Sequence, residues 1–183
     1  MKKISIWFAV AVLFASVAAL PAFASSDDFV HVATVTVGTI LSIETGDDPN
    51  FTLAFSDFAS GAFSQGKFVN YIVRANNMTT SALTGAVSAK INAALDGITI
   101  VNTPQTYVND GTSSNAVLTE LGGGSPIAVG TTSVNLYNKP TSSGAEGKIL
   151  KGQAPTYWQA RADRDLAPGD GGTVTITVTL KDS

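Results

Sequence analysis

The run Thr173–Leu180, TVTITVTL, constrains the fold most. Val174, Ile176, Val178 and Leu180 alternate with Thr173, Thr175, Thr177 and Thr179. A period of two sends successive side chains to opposite faces of a strand, so one face is core and the other is threonine. The β-branched residues suit that pleated surface and lose rotamer freedom in a helix. Similar short runs recur along the chain, and Gly, Asn, Asp and Pro clusters separate them. Examples are Gly46-Asp47-Asp48-Pro49-Asn50, Asn76-Asn77 and Leu166–Gly172, LAPGDGG. Helix-period patterns are scarce. This spacing predicts an all-β fold, an immunoglobulin-like antiparallel β-sandwich with a long N-terminal strand.

Phe29–Ile43 is read as that long strand. Ala33, Val35, Val37, Leu41 and Ile43 are apolar at odd positions, and Thr34, Thr36 and Ser42 are polar at even ones. Val30 and Val32 make its start apolar on both faces, as in a strand covered on both sides or fitted into a groove. Gly38 divides the run. Phe51, Leu53 and Phe55 point inward from a second run. Lys67–Met78 is a third, with Phe68, Asn70 and Ile72 on one face and Val69, Tyr71, Val73 and Ala75 on the other. Ala86–Leu95 suits a strand better than a short helix. Asp96-Gly97 then predicts a tight hairpin into Ile98–Val101. Thr106–Val108, Ala116–Leu118, Ser133–Tyr137 and Tyr157–Ala162 complete the strands. Trp158, Ala160 and Ala162 share one face of the last of these.

The first residues follow a different logic. Lys2 and Lys3 precede the apolar run Ile4–Leu20, and Ala22-Phe23-Ala24 is a small-x-small site. This is the layout of a cleavable export signal over residues 1–24. Residues 25–37 are then an N-terminal extension, and residues 38–183 are the sandwich domain. Cleavage would take the 11 basic residues to 9 against 14 acidic ones, a net −5. A mildly acidic surface disfavours nucleic acid and anionic membranes as partners. No second apolar run is long enough to span a bilayer, so no membrane contact is expected after the signal is removed. The chain has no cysteine, which removes disulfides, thiol catalysis and thiolate-ligated metals.

Catalytic signatures are weak. His31 is the one histidine, and no Gly-x-Ser-x-Gly elbow accompanies it. Asp47-Asp48 and Asp163-x-Asp165 are paired carboxylates in turn-like segments, where aspartate favours backbone bonding over acid–base work. Thr45–Asn50, TGDDPN, does not have the spacing of a twelve-residue calcium loop. Gly122-Gly123-Gly124 lacks the Lys-Ser/Thr tail of a phosphate loop. No cofactor, no metal and no catalytic residue is assigned. Phe63, Tyr157 and Trp158 are the candidate ligand-facing aromatics, although the phase of Trp158 suits a core residue.

Three stretches carry a resemblance: Val32-Ala33-Thr34-Val35-Thr36-Val37, Phe68-Val69-Asn70-Tyr71-Ile72-Val73, and Leu166-Ala167-Pro168-Gly169 through Leu180. In layout the chain resembles exported fibre-forming subunits, most nearly the alpha-fimbrial (class 5) major pilins. The resemblance implies donor-strand complementation, in which the N-terminal strand of one subunit fills a groove in the next. It implies Phe29, Val30, Val32, Val35 and Val37 as the polymerisation strand. It also implies a homopolymer of copies of the chain at the cell surface, and a periplasmic chaperone and usher as helpers. The expected role is a non-enzymatic structural subunit of a filament. The alternative is a monomeric secreted or periplasmic module that binds carbohydrate. A secreted hydrolase ranks last.

Overall fold

The computed structural model describes residues 40–76, 85–110, 116–139 and 149–181. The donor candidates Phe29, Val30, Val32, Val35 and Val37, and His31, lie outside the described residues. All described residues belong to one compact unit, Val37–Ser183.

Ten strands run through the described residues. They are β1 (Leu41–Thr45), β2 (Lys67–Ala75), β3 (Gly85–Ile91), β4 (Ile98–Pro104), β5 (Val108–Asn109), β6 (Thr119–Glu120), β7 (Ile127–Val129), β8 (Val134–Asn138), β9 (Leu150–Ala162) and β10 (Ile176–Leu180). They form two sheets with antiparallel pairing throughout. The first has the order β1-β2-β9-β4-β7, with β5 also on β9, and the second has the order β10-β3-β8-β6. The fold is therefore an all-β sandwich. Val69, Val73, Ala154 and Trp158 on the first sheet and Val87, Leu136 and Tyr137 on the second share one core.

β9 is the spine of the first sheet. Thirteen residues long, it pairs through Leu150–Trp158 with β2 and on its other edge with β4 and then β5. Its even-numbered side chains are buried and its odd-numbered ones are not, from Leu150 to Ala162. Trp158 is fully buried on this inward face. Its phase with Ala160 and Ala162 thus corresponds to the core, and it faces no ligand from there.

Pro155 stands in the middle of this central strand, where a missing N–H would normally break the ladder. In a strand, the N and O of one residue point to the same side. The Pro155 carbonyl accepts from Gln105 N at 2.9 Å, just past the end of β4. Its nitrogen therefore faces the gap where the neighbouring strand changes from β4 to β5, and no ladder bond is lost. The Tyr137 hydroxyl reaches the same gap from the second sheet. It donates towards the Pro155 and Gln105 carbonyls, the latter at 2.8 Å, and Gln105 N approaches it at 3.2 Å.

Three expectations need correction. The Asp96-Gly97 turn forms, with Gly97 at φ +68° and a single antiparallel bridge between Leu95 and Ile98. No β3–β4 hairpin follows from it. β3 already has β10 on one edge and β8 on the other, so β3 itself has no edge left for β4. The chain crosses between the sheets instead, and β4 takes the free edge of β9. Asn92 diverts it: its N–H donates to the Thr175 carbonyl at 3.1 Å, and its side-chain oxygen accepts from Thr175 N at 2.8 Å. The second correction concerns Phe51–Phe55, which is extended and alternates inward and outward but belongs to no strand. Ala116–Leu118 is likewise not a strand, and β6 begins at Thr119.

Burial pushes the Tyr137 phenol well above its ordinary value of 10.0. The Gln105 backbone bond opposes this in part, and Glu120 adds to it. Burial, followed by the charge of Asp110, pushes the Tyr107 phenol up to about 12. A phenol with a raised folded-state value stabilises the fold fully below the unfolded value, and that stability is lost as pH rises. The thermal midpoint should therefore hold to pH 10 and fall between pH 10 and 12. Tyr137→Phe should cost about 1–3 kcal/mol at neutral pH, because it leaves the part-buried Gln105 carbonyl without its donor. It should also flatten the alkaline fall. Thermal unfolding followed by circular dichroism across pH 7–12 checks both outcomes.

Candidate functional site

The two sheets end on the same side of the sandwich, the first at β1 and the second at β10. Neither strand has a partner on its outer edge among the described residues. An unpaired edge carries a row of backbone donors and acceptors that water or another strand must satisfy.

A groove runs between these edges in two joined parts. The first, about 680 Å³, lies between β1 and β10 and is lined by Ile43, Val69, Tyr71, Ile176 and Val178 among others. The second, about 870 Å³, continues past Phe51 and Val174 to Leu53, Phe55, Leu95 and Leu166. Phe51, Thr173 and Val174 line both parts. The apolar residues named here are mostly half-buried.

The walls of the groove are built like strands without partners. On one side, Phe51, Leu53 and Phe55 project inward from an extended segment. The one backbone bond joining that segment to the described residues runs from Gln65 N to the Ala54 carbonyl, at 2.8 Å. On the other side, Val174, Ile176 and Val178 project from β10 and the extended residues before it. The alternation read from the sequence is present on both walls. It produces half-burial because the layer that would cover it is missing from the described residues. Burial pushes the Tyr71 phenol up at the groove floor. The nearby Trp158 indole partly offsets this, without a hydrogen bond of normal geometry, and Asp47 adds to it.

A polar clamp holds the far end. Arg164 bonds Asp170 at 2.8 Å and Asp96 at 3.0 Å, tying the turn before β4 to the turn before β10. Asp170 also accepts from Ala167 N at 2.7 Å, and Leu166 N donates to the Phe58 carbonyl at 2.8 Å. Gly97 permits this closure, because a side chain there would meet Arg164 within 3 Å.

Three of the four paired carboxylates serve the backbone, as their turn setting suggested, and Asp163 serves side chains instead. Asp47 accepts from Asn70 N and Asp48 from Asn50 N, both at 2.8 Å. Asp163 accepts from the Thr99 hydroxyl and from Arg161, and Asp165 from Ser60 N.

The aromatic candidates divide. Phe63 bridges Arg161 and is 42% exposed, on the outward face of the first sheet. Tyr157 shares that face. Trp158 faces the opposite way, into the core. Phe68 was read only as one face of a strand, yet it is 60% exposed and its ring centroid lies 4.5 Å from that of Tyr157. The pairing of Phe68 with Tyr157 is a register fact, and two separate strand readings cannot reveal it.

No protein-family model matches this chain, and no curated protein matches it in sequence.

The Asp170 carboxyl is held below its ordinary value near 3.8, first by the Ala167 N–H and then by Arg164. A depressed carboxylate stabilises the fold above its unfolded value, and that stability is lost as pH falls. Amide-exchange protection over Leu166–Val174 should therefore drop below about pH 4. Arg164→Ala should lower it at neutral pH while leaving β9 protected. Hydrogen exchange read by mass spectrometry checks both.

Proposed function

We propose that this chain is an exported structural subunit of a surface filament, in which the N-terminal strand of one copy lies in the groove of the next. The open side of the sandwich carries the reading. Two edges without partners among the described residues face a groove whose walls present alternating apolar side chains, and an added strand satisfies both needs at once. Its backbone bonds the edge, and its alternate side chains fill the apolar floor. Each valine fully buried this way contributes about 1.5–3 kcal/mol.

The sequence supplies a matching strand. Residues 25–37 extend to about 40 Å, and valines stand on both faces between Val30 and Val37. Donated within one molecule, that strand closes the domain and nothing grows. Donated to a neighbour, the contact is head-to-tail, does not close, and yields a fibre. Before assembly an open groove exposes apolar surface and unpaired backbone, so a periplasmic chaperone is a natural partner. The lack of cysteine fits this scheme, since stability would come from the neighbour's strand rather than from a disulfide.

Electron microscopy and size-exclusion chromatography of the purified chain test this. Filaments are expected from the intact chain, and soluble subunits from a deletion of Ser25–Val32. Val178→Lys, which places a charge on the groove floor, should also block growth. Filaments that persist in the deletion, or an intact chain that stays monomeric, would overturn the proposal.

A further inference from the structure

We infer that the outward face of the first sheet is a binding strip for a neutral oligosaccharide, separate from the groove. The odd-numbered residues of β9 point outward, and the strand register places specific partners beside them. Tyr157 lies opposite Phe68, Pro155 opposite Asn70, and Gln153 opposite Ile72. Arg161 lies opposite Phe63, beyond the end of β2. Partners across an antiparallel pair project from the same face. Phe63, Phe68 and Tyr157 therefore share one exposed surface. Phe63 is about 13 Å along the strand from the Tyr157–Phe68 pair.

Three properties of the strip select the ligand. The first is stacking. The Phe68 and Tyr157 rings are tilted 41° to one another and leave much of Phe68 uncovered. An exposed ring offers a flat apolar surface for the C–H face of a sugar. Tyr157 is held firmly, because its ring lies over Gly66, where any side chain would collide with it. The second is hydrogen bonding. The side-chain amides of Asn70 and Gln153 have no hydrogen-bond partner among the described residues, and each offers both donors and an acceptor to hydroxyl groups. The third is charge. The strip's cations face carboxylates: Lys151 with Asp110 at 2.6 Å, Arg161 with Asp163 at 3.0 Å, and Arg74 with Glu44 at 4.0 Å. The strip is therefore close to neutral, which favours an uncharged ligand over an anionic polymer.

About 13–20 Å along the strand from the aromatic pair, the strip ends in a hollow of about 220 Å³. Its floor includes Ile72 and Val108, and Gln153 and the Lys151–Asp110 pair stand at its rim. Stacking at one end and a polar hollow at the other suit a linear chain of several sugars rather than a single ring.

Surface plasmon resonance of the purified chain over immobilised cellohexaose, maltohexaose and chitohexaose tests this, with an oligoglucuronate as the anionic contrast. Binding to at least one neutral hexaose is expected, and it should exceed binding to the oligoglucuronate. Phe68→Ala and Phe63→Ala should each weaken it about tenfold, the scale of one lost aromatic contact. Phe68→Leu keeps an apolar cover on Tyr157 but removes the ring. It should weaken binding similarly at an unchanged thermal midpoint. The deletion of Ser25–Val32 should leave sugar binding intact, which separates this site from strand exchange. Absence of binding to all three neutral hexaoses, equal binding to the oligoglucuronate, or parental affinity in Phe68→Leu overturns the inference. A change in self-association on Phe68→Leu with sugar binding unmoved makes the face a contact between copies instead.

Discussion

The structure depends on the backbone ladder of β9. A strand of thirteen residues with a neighbour on each edge satisfies its polar groups along nearly its whole length, and its strict alternation divides core from surface residue by residue. β2 and β4 are placed by it directly, and β1 and β7 are placed through them. Trp158 and Ala154 extend its inward face into the shared core. Phe68 meets Tyr157 on the outward face because β2 pairs with β9 in this register. A shift of one residue would send Tyr157 into the core and Trp158 into solvent.

The one irregularity in that ladder shows how the two sheets are tied together. Pro155 is tolerated because its nitrogen faces the point where β4 gives way to β5. The same gap admits the Tyr137 hydroxyl from the opposite sheet. Without that hydroxyl, the part-buried Gln105 carbonyl at the gap would lose its donor, which costs more than an ordinary hydrogen bond returns. The bond therefore also sets the registration of one sheet against the other. Such a cross-core tie matters more in a chain with no disulfide to hold the layers together.

The open side follows from the same pairing rules. β3 is flanked by β10 and β8, so β4 cannot pair with it and joins β9 in the other sheet, and β10 and β1 remain as edges among the described strands. Asn92 and the Arg164 clamp fix the segments that frame the groove. The half-burial of Phe51, Leu53, Val174 and Ile176 is then a consequence of topology. These side chains have the pattern of core residues, but the layer that would cover them is not among the described strands.

Much of this was legible in local pattern. Alternation in Lys67–Ala75, Tyr157–Ala162 and Thr173–Leu180 placed strands and sorted their side chains onto two faces, because the period of a strand is a property of its own backbone. The phase of Trp158 suited the core, and the structure buries it there, although it also stood among the candidate ligand-facing aromatics. The turn at Asp96-Gly97 was visible for the same reason, since positive φ is a local demand that glycine meets. Which strands pair was not visible. The hairpin expected at that turn fails because edge availability depends on β8 and β10, which lie far along the chain. Phe51–Phe55 has the side-chain pattern of a strand, but among the described residues it lacks the partner that would make it one. The sequence by itself determined an all-β chain, its strand phases and its turns. Tertiary structure alone decided the pairing order, the groove between two unmatched edges, and the meeting of Phe63, Phe68 and Tyr157 on one face. Strand partners and cross-strand neighbours are long-range relations, and no local period encodes them.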